Sequence, residues 1–167
     1  MNSEDYKQQT RIRLKNIQTN KDLSQETFCY SASLYFDGVK VGRVSNDGHG
    51  GPDHFEISND KLKEIENYCE TFKPVESYGM SMQPTLEWVT NQLVSDHLDR
   101  AEDLKMVRGK TVFRLKSEEY QDHEWLVLKR KFDAQSKAAL VKQYGDDLGE
   151  ILNETLKSGS RQLTERV

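Results

Sequence analysis

The sequence predicts an α+β fold in which about three helices pack on one face of an antiparallel sheet. Segments of alternating polarity dominate the first third of the chain, apolar residues at helical spacing follow, and further strand-like segments come after them. Strands joined by short turns pair antiparallel, and helices cover the face that is apolar. We therefore expect an N-terminal meander of three to four strands, together with two late strands.

The meander is predicted from alternation and from one turn. Residues 11–15 alternate polar and apolar side chains, and residues 28–36 carry an apolar residue at every second position. Asp37-Gly38 predicts a two-residue hairpin turn, because both positions need a positive φ. Residues 39–44 then form the partner strand, and residues 54–57 form a short third pairing strand.

Two helices are predicted in the middle of the chain. The first begins at a Ser58 or Asn59 cap and is ended by Pro74, whereas Pro84 suits the first turn of the second. Residues 75–82 between them are predicted to be irregular. The apolar stripe of the first helix is Leu62, Ile65, Cys69 and Phe72, and that of the second is Leu86, Val89, Leu93, Val94 or His97, Leu98, Ala101 and Leu104.

The last third returns to strands. Residues 111–116 and 125–131 are predicted as strands, and residues 134–144 as a helix that Gly145 ends. Residues 148–156 fit either a helix or a short edge strand. No repeat or linker divides the chain, so we expect one domain over residues 10–156, with a flexible N-terminus (1–9) and a flexible tail (157–167).

Composition excludes several classes of protein. The chain has 167 residues, of which 35% are hydrophobic and 31% charged, and its net charge is -4. It is long enough to bury its own core, and its acidic balance disfavours a globally basic nucleic-acid binder. It has neither an apolar run of roughly 18 residues nor a signal-peptide pattern. With only Cys29 and Cys69, far apart, we expect free thiols and a cytoplasmic protein.

A glycine-rich segment, here called the glycine loop (residues 46–54), combines permissive backbone with titratable side chains. One interpretation is structural, with an Asx-type turn at Asn46 and a chain reversal at Pro52. The other interpretations are a nest of backbone N–H groups for phosphate, a divalent-metal site, or a general base beside a bound substrate. No GxGxxG, GxxxxGK[ST] or HExxH motif is present, so no catalytic residue, metal or cofactor is assigned. The candidate binding residues are Asn46, Asp47, Gly48, His49, Gly50, Gly51, Asp53 and His54.

Basic residues cluster in the late strands. Five of them lie between residues 105 and 116 without an intervening acid, and Lys129-Arg130-Lys131 follows. If the two late strands pair, Arg114 and Lys116 are expected near Lys129 and Lys131 on one sheet face. Such a patch would contact nucleic-acid phosphates or an acidic protein surface. The alternative is a solvated face, since lysines also protect strand edges from aggregation.

One segment carries a family resemblance. The sequence from Leu34 to Gly51 contains the pattern DGxxxGxVSNDGxGG, which begins at Asp37. It resembles a core found in small uncharacterised proteins of phages and bacterial genomes. The resemblance implies a phage or mobile-element setting and an accessory role that acts on host machinery, including host defence. It assigns no catalytic residues.

Together these features favour a non-enzymatic binding protein that recognises a host macromolecule through the glycine loop. The acidic charge favours a protein partner over nucleic acid. Trp88, expected to be partly exposed, and the basic residues Lys129 and Lys131 are further candidate contacts. The alternative is a small metal- or phosphate-dependent enzyme that uses Asp47, His49, Asp53 and His54. The sequence carries no signal for oligomeric state.

Overall fold

The computed structural model describes residues 8–77, 79–116 and 124–158. Their contacts group into two units, one containing the described residues up to His97 and the other those from Leu98. The prediction of one domain over residues 10–156 stays a prediction. The predicted flexible ends, residues 1–9 and 157–167, lie largely outside the described residues.

The first unit contains the predicted meander, a four-stranded antiparallel sheet in the order β1-β2-β3-β4. The hairpin turn is confirmed, because Asp37 and Gly38 have φ values of 51° and 79°. The apolar residues at alternate positions of β2 are buried, as the alternation predicts. The strands are β1 (Ile12–Thr19), β2 (Cys29–Phe36), β3 (Val39–Asp47) and β4 (His54–Glu56).

Two bulges interrupt this sheet. In β1 the register passes from Lys15 opposite Ser33 to Gln18 opposite Ser31, and Asn16 between them has a φ of 54°. In β3 the register shifts where β2 passes from Leu34 to Tyr35. The bulge in β1 explains why this strand is longer than predicted, since an extra residue reverses the polarity pattern that marks the strand.

The first helix begins as predicted, with Ser58 at its N-cap, but the end of this helix and the start of the next differ from those predicted. Helix α1 (Asn59–Cys69) ends before Pro74, and the chain continues in turns in which the N–H of Phe72 bonds to the carbonyl of Cys69. Helix α2 (Leu86–Met106) is capped by Thr85, whose Oγ1 accepts a hydrogen bond from the N–H of Trp88, 3.1 Å away. Pro84 therefore lies before the cap.

The sequence predicted an irregular segment between these helices, and this prediction is wrong. It forms β5 (Val75–Ser77) and β6 (Met80–Met82), which pair antiparallel. The start of the α2 stripe is buried as expected at Leu86, Val89, Leu93 and Val94. Leu104, at its end, is 49% exposed.

The second unit is built around a three-stranded antiparallel sheet in the order β8-β7-β9. Residues 148–156, left open by the sequence, form a strand followed by a helix. Val112 packs with Leu152, and its neighbour Phe113 packs with Leu140, so both faces of the sheet are covered. The elements are β7 (Thr111–Leu115), β8 (Leu126–Leu128), α3 (Ala134–Tyr144), a short 3-10 helix (Gly145–Asp147), β9 (Leu148–Ile151) and α4 (Leu152–Ser158). Within the described residues, no helix has the length and apolar character that a bilayer crossing requires.

Candidate functional site

The glycine loop joins β3 to β4 and closes on two buried polar residues. The pairing of β3 with β4 ends at Ser45 opposite His54, and Asn46 and Asp53 follow this last pair on the loop side. Their exposed fractions are only 7% and 9%. The side-chain amide of Asn46 donates to Asp53 Oδ1 at 3.1 Å and to the carbonyl of Gly51 at 2.9 Å. The base of the loop is therefore fixed by hydrogen bonds that are shielded from water.

The carboxylate of Asp53 connects the loop to β2 and to α2. Its Oδ2 accepts hydrogen bonds from the Tyr30 hydroxyl at 2.5 Å and from Thr90 Oγ1 at 2.8 Å. The amide of Asn91 also donates to this oxygen, at 3.3 Å, and the backbone N–H of Asp53 donates to Glu87 Oε1 at 3.0 Å. A buried carboxylate needs such donors, because burial removes the water that would solvate it.

Tyr30 is held as a permanent donor in this network. Burial raises the pKa of its phenol far above the ordinary value, and the hydrogen bond to Asp53 raises the pKa further. The phenol therefore keeps its proton throughout the neutral range. Tyr30 lies directly opposite Asn46 in the sheet register, so the network extends the core-facing row of β2 and β3.

Three backbone N–H groups of the loop donate to side chains of this chain. Gly48 N–H donates to Asn46 Oδ1 at 2.9 Å, which confirms the predicted Asx turn. The N–H of His49 donates to Asp47 Oδ1 at 3.2 Å, and the N–H of Gly50 donates to Thr27 Oγ1 at 3.3 Å. These three donors are engaged within the chain, whereas a phosphate nest needs N–H groups that face the ligand. The alternative interpretation of the loop as a phosphate nest therefore does not fit this geometry.

Gly48 itself is required by the fold. Its φ is 88°, and a Cβ at this position would overlap the carbonyl oxygen of Leu23. Its own carbonyl oxygen accepts hydrogen bonds from the N–H groups of Gln25 and Glu26 at 2.9 and 3.2 Å. The segment before β2 therefore rests directly on the glycine loop.

The four candidate metal-binding side chains are divided between the interior and the surface. Asp53 is buried and bonded inward, whereas Asp47, His49 and His54 are exposed. His49 Nδ1 lies 3.3 Å from Gln25 Oε1. Across the part of the chain that the structure describes, no group of three or more His, Cys, Asp and Glu residues is placed to hold a metal ion.

The prediction of a basic patch is wrong, because the register of β7 and β8 separates the basic residues that would form it. Thr111 pairs with Leu128, and its Oγ1 donates to the carbonyl of Arg130 at 2.9 Å, so Lys129 and Lys131 lie at the Thr111 end of β7. Arg114 and Lys116 lie at the other end.

Arg114 and Lys116 are also engaged within the protein. The guanidinium of Arg114 bonds to Glu150 at 2.5 Å and lies 5.2 Å from the centre of the Trp125 ring. Lys116 Nζ donates to the carbonyl of Asp146 at 3.0 Å. The two residues therefore stabilise the second unit locally.

Sequence reasoning missed the partners that hold the loop. Thr90 is fully buried, and it follows Leu86 by one helical turn on the apolar stripe of α2. A polar residue on such a stripe signals a buried hydrogen bond, so Thr90 could have been found. Trp88, one of the predicted contacts, is partly exposed as expected.

Comparison of the chain with protein-family models, with curated proteins and with solved structures gave no match. The resemblance of the DGxxxGxVSNDGxGG segment to phage and bacterial proteins therefore stays a prediction. The function has to be argued from the geometry of the glycine loop.

Proposed function

We propose that this chain is a binding protein that recognises a macromolecule through the outer surface of the glycine loop. The partner is a host protein, and the setting is a phage or mobile element. One observation carries the proposal: the loop's inner residues Asn46 and Asp53 are buried and fully bonded, while its outer residues from His49 to Pro52 are exposed.

A loop held in this way is suited to recognition. Ordering a flexible segment costs conformational entropy at the moment of binding, and a loop that is already fixed avoids most of that cost. The hydrogen bonds that Asp53 accepts from Tyr30 and Thr90 lie beneath the loop, so a partner can approach the loop's outer surface without disturbing them.

Gly51 supports contact with a partner. A Cβ at this position would meet no atom within 4 Å, and Gly51 is not among the glycines with a positive φ. Neither crowding nor backbone geometry within the described residues requires glycine here. Bare backbone at an exposed position lets another molecule approach closely.

Charge favours a protein partner. The net charge of -4 disfavours attachment to phosphate backbones, and the register separates Arg114 and Lys116 from Lys129 and Lys131. The enzyme alternative needs Asp47, His49, Asp53 and His54 to act together. No contact among the described residues favours it, since Asp53 is bonded inward.

The test is quantitative capture from a host lysate with the intact chain and three variants. We expect a saturable protein partner that is lost both in His49→Ala/His54→Ala and in Gly51→Trp, which places bulk on the exposed backbone. Lys63→Ala, on the exposed side of α1, is the control and should retain the partner. Capture that is equal in all variants contradicts the proposal. Metal-dependent phosphoester hydrolysis that His49→Ala abolishes would favour the enzyme instead.

A further inference from the structure

A second candidate site lies on the outer face of the four-stranded sheet. It is a groove of about 190 Å³ between β1, β2 and β3, here called the sheet groove. None of its lining residues belongs to the glycine loop, so it is independent of the function proposed above. Its polar lining residues are Asn16, Gln18, Ser31, Ser33, Lys40 and Arg43.

The backbone of the sheet creates this groove. Both strands that flank β2 bulge, β1 between Lys15 and Gln18 and β3 opposite the step from Leu34 to Tyr35. Between them β2 contributes the small side chains Ser31 and Ser33, which leave room above the sheet. Bulges of this kind re-aim side chains and are frequent beside functional sites.

Asn16 adds an unusual conformation at the edge of the groove. Among the described residues only Asn16 and Asp37 have a positive φ without being glycine. The hairpin turn accounts for Asp37, and the bulge in β1 accounts for Asn16, whose φ is 54°. A bulge that places an amide side chain beside a groove is a reason to look for a ligand there.

The two cations of the groove are unpaired within the described part of the chain. Lys40 and Arg43 are exposed and form no hydrogen bond or ion pair with any described residue. Arg11 and Arg114, by contrast, each bind a carboxylate. The nearest charged neighbours in register are Glu56, opposite Arg43, and Lys15, whose Nζ lies 4.8 Å from the Tyr35 ring centre.

The neutral polar side chains that line the groove also lack hydrogen-bond partners among the described residues. The side chains of Asn16, Gln18, Ser31 and Ser33 form no hydrogen bond with the residues that the structure describes. Ser33 lies directly opposite Arg43 in the register, so a hydroxyl and a guanidinium share one level of the groove. A ligand with several acceptor oxygens would satisfy these donors together.

We propose that the sheet groove binds a small phosphate monoester whose organic part is a polyol, such as a sugar phosphate. Two cations match the charge of a phosphate monoester, which carries about -1.5 to -2 at neutral pH. Guanidinium, ammonium and hydroxyl donors fit the tetrahedral arrangement of its oxygens, and a carboxylate would leave one cation without a partner. Asn16 and Gln18, which line the same groove, would hydrogen-bond the hydroxyl groups of the organic part.

Ribose 5-phosphate is a suitable probe, with ribose, inorganic phosphate and succinate for comparison. Titration calorimetry at low salt should give saturable binding of ribose 5-phosphate, at least about tenfold tighter than that of ribose or succinate. Amide shifts in NMR spectra should concentrate at Ser31, Ser33 and Arg43. Inorganic phosphate that binds as tightly as ribose 5-phosphate would overturn the polyol part of the proposal. Equal binding of succinate would overturn the phosphate part.

Two substitutions locate the binding. Arg43→Gln and Lys40→Gln should each weaken ribose 5-phosphate binding about tenfold, because each removes a charge-assisted hydrogen bond. Lys63→Gln makes the same charge change on α1 and should leave the affinity unchanged. An equal loss in Lys63→Gln, or no loss in the groove variants, would show non-specific attraction and overturn the proposal. Both groove residues are exposed, and the NMR spectrum of each variant reports whether it is folded.

Discussion

The hydroxyl of Tyr30 donates to the carboxylate of Asp53 at 2.5 Å, although the two residues are 23 positions apart in sequence. This bond joins the second strand of the meander to the glycine loop, and Thr90 joins the same carboxylate to α2. A loop that the sequence marks by its glycines is thus held by residues outside it. Its rigidity depends on burial, because buried hydrogen bonds do not compete with water.

Removing the Tyr30 hydroxyl should destabilise the protein. Tyr30→Phe removes one of the hydrogen bonds that the buried Asp53 Oδ2 accepts. We expect the free energy of unfolding to fall by about 1–3 kcal/mol. Asp53→Ala should cost more, since it leaves the buried Tyr30 hydroxyl without its acceptor and also removes the bonds that Thr90 and Asn91 donate to this carboxylate. Chemical denaturation monitored by circular dichroism measures both changes.

Tyr35→Phe is the matched control, because Tyr35 lies in the same strand but on its outer face. It should change stability by less than about 0.5 kcal/mol. If both phenylalanine variants lose the same stability, the bond to Asp53 has no special role.

The two glycines Gly48 and Gly51 should respond differently to alanine. Gly48→Ala forces a Cβ against the Leu23 carbonyl at a φ of 88°, so we expect a loss of about 1–3 kcal/mol. Gly51→Ala places its Cβ in open space and should be close to neutral. Thermal melting of the two variants in parallel measures this difference. Comparable melting temperatures would contradict the prediction that Gly48→Ala is the more destabilising substitution.

Local features of this chain could be predicted from the sequence. The Asp37-Gly38 turn and the Asx turn at Asn46 depend only on neighbouring residues, and both are confirmed. The helix from residue 134 to 144 was also correct, because Asp133 caps it and Gly145 ends it with a φ of 52°.

Long-range features could not be predicted. The sheet groove depends on bulges at Asn16 and in β3, which reverse the polarity pattern from which a strand is recognised. The prediction of a basic patch failed because the register places Lys129 and Lys131 at the Thr111 end of β7, away from Arg114. In addition, β8 ends at Leu128, whose carbonyl accepts a hydrogen bond from the N–H of Arg130 at 2.7 Å. Lys129 and Lys131 are therefore not strand residues.

The ion pair between Arg11 and Asp37 should give a defined acid dependence. The Arg11 guanidinium hydrogen-bonds Asp37 at 2.7 Å and holds the pKa of that carboxyl below its ordinary value of 3.8. A carboxyl whose pKa is lower in the folded state contributes stability above the unfolded pKa. That contribution is lost as the pH falls through the folded pKa.

Asp37→Asn removes this contribution and preserves the turn, since asparagine tolerates the positive φ. Wild type should be the more stable at neutral pH, and the difference should shrink as the pH falls below 3.8 and through the lower folded pKa of Asp37. Unfolding at a series of pH values measures it. Asp133, whose pKa is also lowered by the N–H of Ser136, should leave a residual acid dependence in the variant. A difference that is constant with pH would contradict the assignment.

The two cysteines should differ in reactivity. Burial raises the pKa of Cys69 to about 12, and the neighbouring Glu66 adds to the shift, whereas Cys29 is only half-buried. Because the thiolate is the reactive form, alkylation of the folded protein at about pH 8 should modify Cys29 first and leave Cys69 protected. Peptide mass spectrometry identifies the labelled residue.

The variant Cys29→Ser is the control. Its folded form should label only slowly, and in concentrated guanidinium chloride Cys69 should react at the rate of an ordinary thiol. Rapid labelling of Cys69 in the folded variant would show that α1 opens to solvent.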